Sequence, residues 1–208
     1  MTDSTILADG TIEDRATAAH GARTRIRRHP ERSVPERADE ILRTGRVAHV
    51  AFAEDGQPFV LPMLYHYEDG TIYLHGAPAS RTLRTLRAGT PVCVEVTLLD
   101  GLVASRDAQN HSANYRAVMV FGRAEAVTDL AEKRGVLERM TARYFPGRAA
   151  GTDYAHARDG ELKAVEMVRV CADELSAKSR TGPATGPRDA DPEGFGSRFV
   201  VLLPGTDA

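Results

Sequence analysis

Two Asp-Gly pairs constrain this chain more than any other feature. Asp55-Gly56 and Asp69-Gly70 each sit between apolar runs: 47–53, 58–67 and 71–75. Asp-Gly suits a two-residue reverse turn because both central residues must adopt positive φ, which Asp tolerates and Gly does without strain. Three extended runs joined by two such turns form an antiparallel meander, since parallel strands need a crossover of a dozen or more residues. A three-stranded meander is therefore predicted over 47–75.

The elements around it follow from periodicity and end signals. Ser33 and Glu36 have capping-box spacing, Pro35 is allowed in a first turn, and Ala38, Ile41 and Leu42 share one helical face. They predict a helix over 34–44, with Gly45 as a left-handed stop. Ser80 begins a second helix, 81–88, with Leu83 and Leu86 inward and Gly89 at its end. Pro91 to Leu98 reads as a buried, Val-rich strand, and Tyr115 to Val127 as a long strand with Gly122 at a bulge. Asp129 and Glu132 repeat the capping-box spacing ahead of a helix over 130–144, faced by Leu130, Leu137, Met140 and Tyr144. Lys163 to Leu175 is the last strand. Six strands with short interspersed helices, and no alternating βαβ pattern, predict a mainly β, α+β chain closed as an antiparallel barrel.

A length of 208 residues fits one domain with a tail. The expected organisation is a loose arm over 1–30, a barrel over 31–176 and a tail over 177–208. Hydrophobic residues make up 42% and charged residues 27%, enough apolar material for an ordinary core. The formal charge of −2 provides no global basic field, so no nucleic-acid partner is expected. The cluster Arg23, Arg25, Arg27, Arg28 lacks interleaved aromatics and reads as a solvated or subunit-clasping arm. No signal-peptide core and no apolar run of ~20 residues are present, so a cytoplasmic protein without a membrane partner is expected. Cys93 and Cys171 lie in apolar, strand-like runs and are expected as buried free thiols. The histidines show no HxH or HExxH spacing, so no metal site is expected.

The segment His75-Gly76-Ala77-Pro78-Ala79-Ser80-Arg81-Thr82 is the best candidate for chemistry. A strand ends, a glycine turns the chain, and a helix opens with a hydroxyl and a guanidinium. Free N–H groups and the positive end of the helix dipole make such a start a seat for phosphate. Its plain alternative is that Ser80 only caps the helix and Arg81 is a surface charge. His75 is either a structural hydrogen-bonder or a catalytic group. Arg116, opening the long strand beside Tyr115, either reaches a phosphate or carboxylate or closes the sheet edge with a salt bridge. Lys178 and Arg180 are a cationic pair at the start of the tail.

Several segments in order resemble one family: Arg46 to Ala51, Phe59-Val60-Leu61-Pro62-Met63, Tyr73 to Gly76 with Ser80-Arg81, Asn114-Tyr115-Arg116-Ala117 to Gly122, Tyr144 to Gly147 and Ser176 to Pro183. Together they are similar to the flavin-nucleotide-binding, 5-nitroimidazole-resistance-like branch of the pyridoxamine 5'-phosphate oxidase-like proteins. The resemblance implies a six-stranded split β-barrel that binds FMN at a homodimer interface. It implies that Val60, Leu61, Pro62 and Met63 line the flavin ring. His75, Gly76, Ser80, Arg81 and Thr82 would hold ribityl and phosphate, and Tyr115, Arg116 and Ala117 would lie beside the cofactor. Lys178 and Arg180 would approach from the tail or the second subunit, and His75 would be the catalytic residue. The chain departs from the family at Gln109-Asn110-His111, where many relatives carry a Phe-His-His run, and in having no tryptophan near its end, where Phe199 stands.

What this implies for function is an FMN-dependent oxidoreductase that passes electrons from reduced nicotinamide to a small acceptor, such as a nitroaromatic or a quinone. Oxidase activity on pyridoxamine phosphate is not expected. The alternative is a non-catalytic carrier or sensor holding flavin, deazaflavin or haem, with His75 or His111 as the axial ligand.

Overall fold

The protein is described by a computed structural model, which covers residues 22–190 and the pair 199–200. Among the described residues, eight strands form one sheet in which every pairing is antiparallel. They are β1 (Val47–Glu54), β2 (Gln57–Leu64), β3 (His66–Glu68), β4 (Thr71–Gly76), β5 (Pro91–Val103), β6 (Ser112–Ala126), β7 (Glu166–Arg180) and β8 (Phe199–Val200). The order across the sheet is β2-β1-β5-β6-β7-β4-β3, with β8 beside β5. Among the described residues, four α-helices accompany them: α1 (Ala38–Thr44), α2 (Arg81–Leu86), α3 (Leu130–Tyr144) and α4 (Asp159–Lys163).

Both Asp-Gly turns form as the sequence requires. φ is 52° and 80° at Asp55 and Gly56, and 47° and 75° at Asp69 and Gly70. The expected single strand 58–67 is broken at Tyr65, which raises the count from six strands to eight together with β8. Tyr65 is fully buried, and the Tyr144 hydroxyl takes over its backbone: Tyr65 N–H donates to Tyr144 Oη at 3.1 Å, and Tyr144 Oη lies 2.9 Å from Tyr65 O. The break sends β2 to one end of the sheet and β3 to the other, so the sheet curls into a split barrel.

The main core fills the barrel with Val50, Phe52, Leu74, Val94, Val96, Val118 and Val170, closed by Ile41 and Leu42 of α1 and Leu83 and Leu86 of α2. A smaller cluster lies on the other side of β4 and β7, where Val136 and Met140 of α3 cover Met167 and Tyr73. Asp129 caps α3 as its spacing predicts, accepting from Ala131 N–H and Glu132 N–H. The Ser33–Glu36 box does not form. Ser33 bridges to Lys178 and Val34 N–H donates to Ala177 O, so the chain stays extended until a 3₁₀ turn at Pro35–Arg37.

Gly45 has φ −59°, so it is no left-handed stop; a Cβ there would lie 2.3 Å from Val96 Cγ1. Gly122 sits at a register shift between β6 and β7, as expected. Cys93 is part-buried and Cys171 exposed, which corrects the expectation of two buried thiols.

The barrel's last strand runs to Arg180, past the expected boundary at 176. Residues 22–30 lie against the sheet: Thr24 is buried and Arg23 bonds Glu174. The rest of the expected arm, 1–21, lies outside the described residues, as does most of the far tail. No helix among the described residues is long and apolar enough to cross a membrane.

Candidate functional site

The turn after β4 forms as a tight bend. Ser80 N–H donates to Ala77 O at 2.9 Å, and Arg84 N–H donates back to Ser80 O at 3.0 Å. Ser80 stands at the cap position of α2, yet its hydroxyl makes no capping bond. That leaves the hydroxyl uncommitted at the helix start. Arg81 is half exposed, its guanidinium 4.6 Å from the centre of the Phe59 ring. Thr82 is 3% exposed, on the buried side of the helix with Leu83. Gly76 lies under α2, where a Cβ would meet Leu83 Cδ1 at 3.2 Å.

One residue here had no sequence signal. Glu54, the last of β1, lies 3.4 Å from Arg81 Nε and 3.7 Å from Arg84 Nη2, and accepts from Thr85 Oγ1 at 3.0 Å. Only the register of the first hairpin brings it there. It partly neutralises the cations that would meet a phosphate.

β2 runs along the sheet edge. Residues paired across an antiparallel ladder share a face. Val60 and Pro62, opposite Ala51 and His49, therefore point outward, and Leu61 and Met63 point with Val50 and Ala48 toward the barrel. Val60 is 63% exposed, and Leu61, Leu64 and Val47 are also exposed. So much apolar surface on one edge is unusual for a chain that stays alone.

His75 lies opposite Met167. It shares the outer face with Tyr73 and is turned away from Leu74 and the barrel core. Its Nδ1 is buried without a hydrogen-bond partner, and burial holds the imidazole pKa below its usual value. His75 and the α2 turn thus occupy one end of the sheet but face opposite sides. His66, missed by sequence reading, lies on the same outer face opposite Tyr73; burial likewise lowers its pKa, against the pull of Glu68.

The other expected cofactor residues lie toward the far end of β6. Tyr115, Ala117 and Lys178 share the outer face with Met119 and Glu95 and line a groove roofed by residues 23–28. Lys178 Nζ donates to the Arg28 carbonyl at 3.0 Å. Arg116 points the other way, where it binds Asp100 through two bonds of 3.0 and 2.7 Å and Glu40 through one of 2.9 Å. The bond to Asp100 is the main reason its pKa is raised. Of its two readings, the salt bridge is the one formed. Arg180 is held by Asn114 and by the carbonyls of Gly182 and Pro183.

The expected residues therefore fall into two groups. α2 sits where β1 ends, at the level of Gly122 (Phe52 pairs with Val92, and Val92 with Gly122). Tyr115 is seven residues away along β6, which at 3.3 Å per residue is about 23 Å.

A family profile described as pyridoxamine 5'-phosphate oxidase matches residues 35–179. The chain belongs to that family. Among solved structures of the family's fold, the chain is 32% identical to the flavocytochrome Anf3 from Azotobacter vinelandii, covering 91% of this chain and 90% of that one with a TM-score of 0.76. It is 31% identical to the FAD and haem binding protein from Mycobacterium smegmatis, covering 80% and 81% with a TM-score of 0.73. A proposed 5-nitroimidazole antibiotic resistance protein from Bacteroides thetaiotaomicron shares the fold at 24% identity, covering 69% and 82% with a TM-score of 0.56. No curated protein sequence matches the chain.

Proposed function

We propose that the protein is a homodimeric, flavin-nucleotide-binding oxidoreductase that passes electrons from a reduced nicotinamide to a small acceptor such as a nitroaromatic or a quinone. The observation that carries this reading is the separation of the two residue groups. Ser80 and Arg81, at the level of Gly122, and Tyr115, seven residues along β6, lie about 23 Å apart in one chain, too far to meet on one flavin ring. A second copy related by a two-fold axis brings the first group of one subunit to the second group of the other. The exposed Val60, Leu61, Leu64 and Val47 give such an association its apolar surface.

The residues fit the group. Val60 and Pro62, which face outward, and the exposed Leu61 offer an apolar wall for a ring, with Met63 behind it on the core side. The free hydroxyl of Ser80 and the guanidinium of Arg81 suit an FMN-type phosphate, provided Glu54 releases Arg81. Lys178 suits negative charge on the reduced ring. A bound flavin supplies hydride acceptance and electron release; the protein supplies orientation and electrostatics. With its pKa held low, His75 is neutral at pH 7, so it serves more readily as a proton acceptor than as a donor. A His75→Ala variant that keeps its flavin and turns over more slowly supports a catalytic role; equal turnover removes it.

A second reading adds or substitutes haem: the Mycobacterium smegmatis relative is an FAD and haem binding protein and the Azotobacter vinelandii one a flavocytochrome. A neutral imidazole suits an iron ligand; His75 Nδ1 lacks a hydrogen-bond partner but is buried, so ligation through it requires the outer face of β4 to open. His111 is the other candidate: its Nδ1 contacts Ala108 O at 3.1 Å, which leaves Nε2 bare. A deazaflavin is the remaining alternative.

The visible spectrum of the purified protein, the mass of the released cofactor and the sedimentation mass test the reading together. Flavin near one per chain in a dimer supports it. A Soret band lost in His75→Ala, and kept in His111→Ala, supports haem on His75. A colourless monomer that takes up no added FMN or FAD refutes it.

A further inference from the structure

His49 and Glu95 stand directly opposite each other in the β1–β5 ladder, on the outer face of the sheet. His49 Nδ1 lies 3.1 Å from Glu95 Oε2, and the other carboxylate oxygen, Oε1, accepts from the Thr97 hydroxyl. A carboxylate only accepts, so Nδ1 is the nitrogen that carries the proton in the neutral ring. Nε2 is then bare, and no group among the described residues bonds to it. The imidazole is 49% exposed and Glu95 29%, so the ring is the member of the pair that reaches solvent. Cross-strand pairs of opposite charge also form for a small gain in stability alone. Two observations separate this pair from that ordinary case. Glu95 is held at both oxygens, which fixes the tautomer and orientation of the ring. On its other side His49 stands opposite Pro62, one strand spacing of about 4.8 Å away. Pro62 and Val60 share that face, and the flavin reading sets them against the ring. His29 and His156 also meet carboxylates, but neither lies on a strand of the sheet. The unpartnered nitrogen of His75, by contrast, is buried.

We propose that His49 donates the proton that completes reduction of the acceptor, with Glu95 and Thr97 as positioning residues, and that the acceptor is a quinone. The proposal rests on the flavin reading. A quinone takes up one hydride and one proton, which a single donor supplies. A nitro group reduced to nitroso takes up two protons and expels water, which one exposed nitrogen does not cover. Reduced nicotinamide provides the electron pair, and hydride uptake turns the quinone into a hydroquinone monoanion. The Nε2–H bond of the His49 imidazolium then breaks, an O–H bond forms on that oxyanion, and neutral His49 recovers its proton from water. The other charged groups around Glu95 are Lys178 of β7 and Arg23, Arg25, Arg27 and Arg28, which line a groove with it. None of them bonds to the imidazole, and their charge favours an acceptor that becomes an anion as it is reduced.

The test follows reoxidation of the flavin. The full chain holding its flavin is reduced with dithionite without oxygen, then mixed with menadione, a quinone, or with ferricyanide, which takes one electron and no proton. In His49→Ala, reoxidation by menadione should be slower by about 100-fold or more, while ferricyanide reacts at the parent rate. Added imidazole should restore part of the menadione rate, which a merely structural loss would not allow. Glu95→Ala should show the same selective loss to a smaller degree. In the flavin-free parent, nitrogen NMR of neutral His49 should report a protonated Nδ1 and a bare Nε2, and Glu95→Ala should lose that preference. An unchanged menadione rate in His49→Ala, an equal loss with both acceptors, or a protonated Nε2 in the neutral ring of the parent overturns the proposal and leaves the flavin reading intact. A parent that takes up no flavin overturns both.

Discussion

Gly45→Ala tests whether the junction between α1 and β1 is a packing constraint. The backbone there (φ −59°, ψ 148°) is open to any residue, so alanine brings no torsional strain. It brings a methyl group 2.3 Å from Val96 Cγ1 and 2.8 Å from Tyr65 Oη. Both neighbours are fully buried, and neither is the end of a flexible side chain. Overpacking of this kind costs about 1–3 kcal/mol. The Tyr65 hydroxyl, which donates to Leu42 O at 2.6 Å, must shift, and weakening that bond adds about 1 kcal/mol. The lower entropy of the unfolded alanine chain returns about 0.4–1 kcal/mol. The expected net loss is about 1.5–3 kcal/mol, read from the urea midpoint at fixed protein concentration with an unchanged slope. Val96→Ala removes the clashing atom. The double variant should therefore be more stable than the two single losses predict, by about 1 kcal/mol or more. A neutral Gly45→Ala, or two losses that simply add, refutes the steric account.

Four other outcomes follow from the same kind of reasoning. Asp129→Ala removes a cap that satisfies two N–H groups and should cost about 1 kcal/mol. Ser80→Ala, at a cap position whose hydroxyl makes no such bond, should cost under about 0.5 kcal/mol while weakening FMN binding, as measured by flavin fluorescence titration. Lys133→Met leaves the Leu162 and Val165 carbonyls without the buried ammonium, which lies at 3.3 and 2.7 Å, and should cost about 1–3 kcal/mol in the urea midpoint. His66 and His75 both have folded pKa values below the ordinary imidazole value because they are buried. The folded state then binds protons less readily than the unfolded state, so stability is full above pH ~6.5 and declines as pH falls toward the depressed folded values. A urea midpoint that does not fall between pH 8 and 5, or that falls equally in the His66→Asn/His75→Gln variant, counts against this.

What was legible in the sequence was local. Asp55-Gly56 and Asp69-Gly70 fix their turns through their own backbone preferences, and Asp129 caps α3 with its own carboxylate. These signals need no knowledge of distant residues. The break at Tyr65 was not legible, because the hydroxyl that replaces its strand partners belongs to Tyr144, 79 residues later. Gly45 read as a stop, yet its reason is Val96 on another strand. The fate of Arg116 depends on Asp100 and Glu40 meeting it, and the presence of Glu54 beside Arg81 depends on hairpin register. The candidate site shows the same division: its residue types could be read in sequence order, but its distribution over two ends of one barrel required the sheet.

The prolines of β2 determine how such a barrel can meet others of its kind. In a two-residue hairpin closed by Glu54 and Gln57, the N–H groups of Gln57, Phe59, Leu61 and Met63 turn toward β1, and positions 58, 60, 62 and 64 turn theirs outward. Pro58 and Pro62 occupy two of those four outward positions and have no N–H to offer. A second chain trying to extend the sheet along this edge finds only every other donor, and the opposite edge, β3, is three residues long. Both margins thus resist runaway, fibre-like stacking. The exposed apolar side chains of Val60, Leu61 and Leu64 are thus presented beside an edge that is itself a poor template for strand pairing.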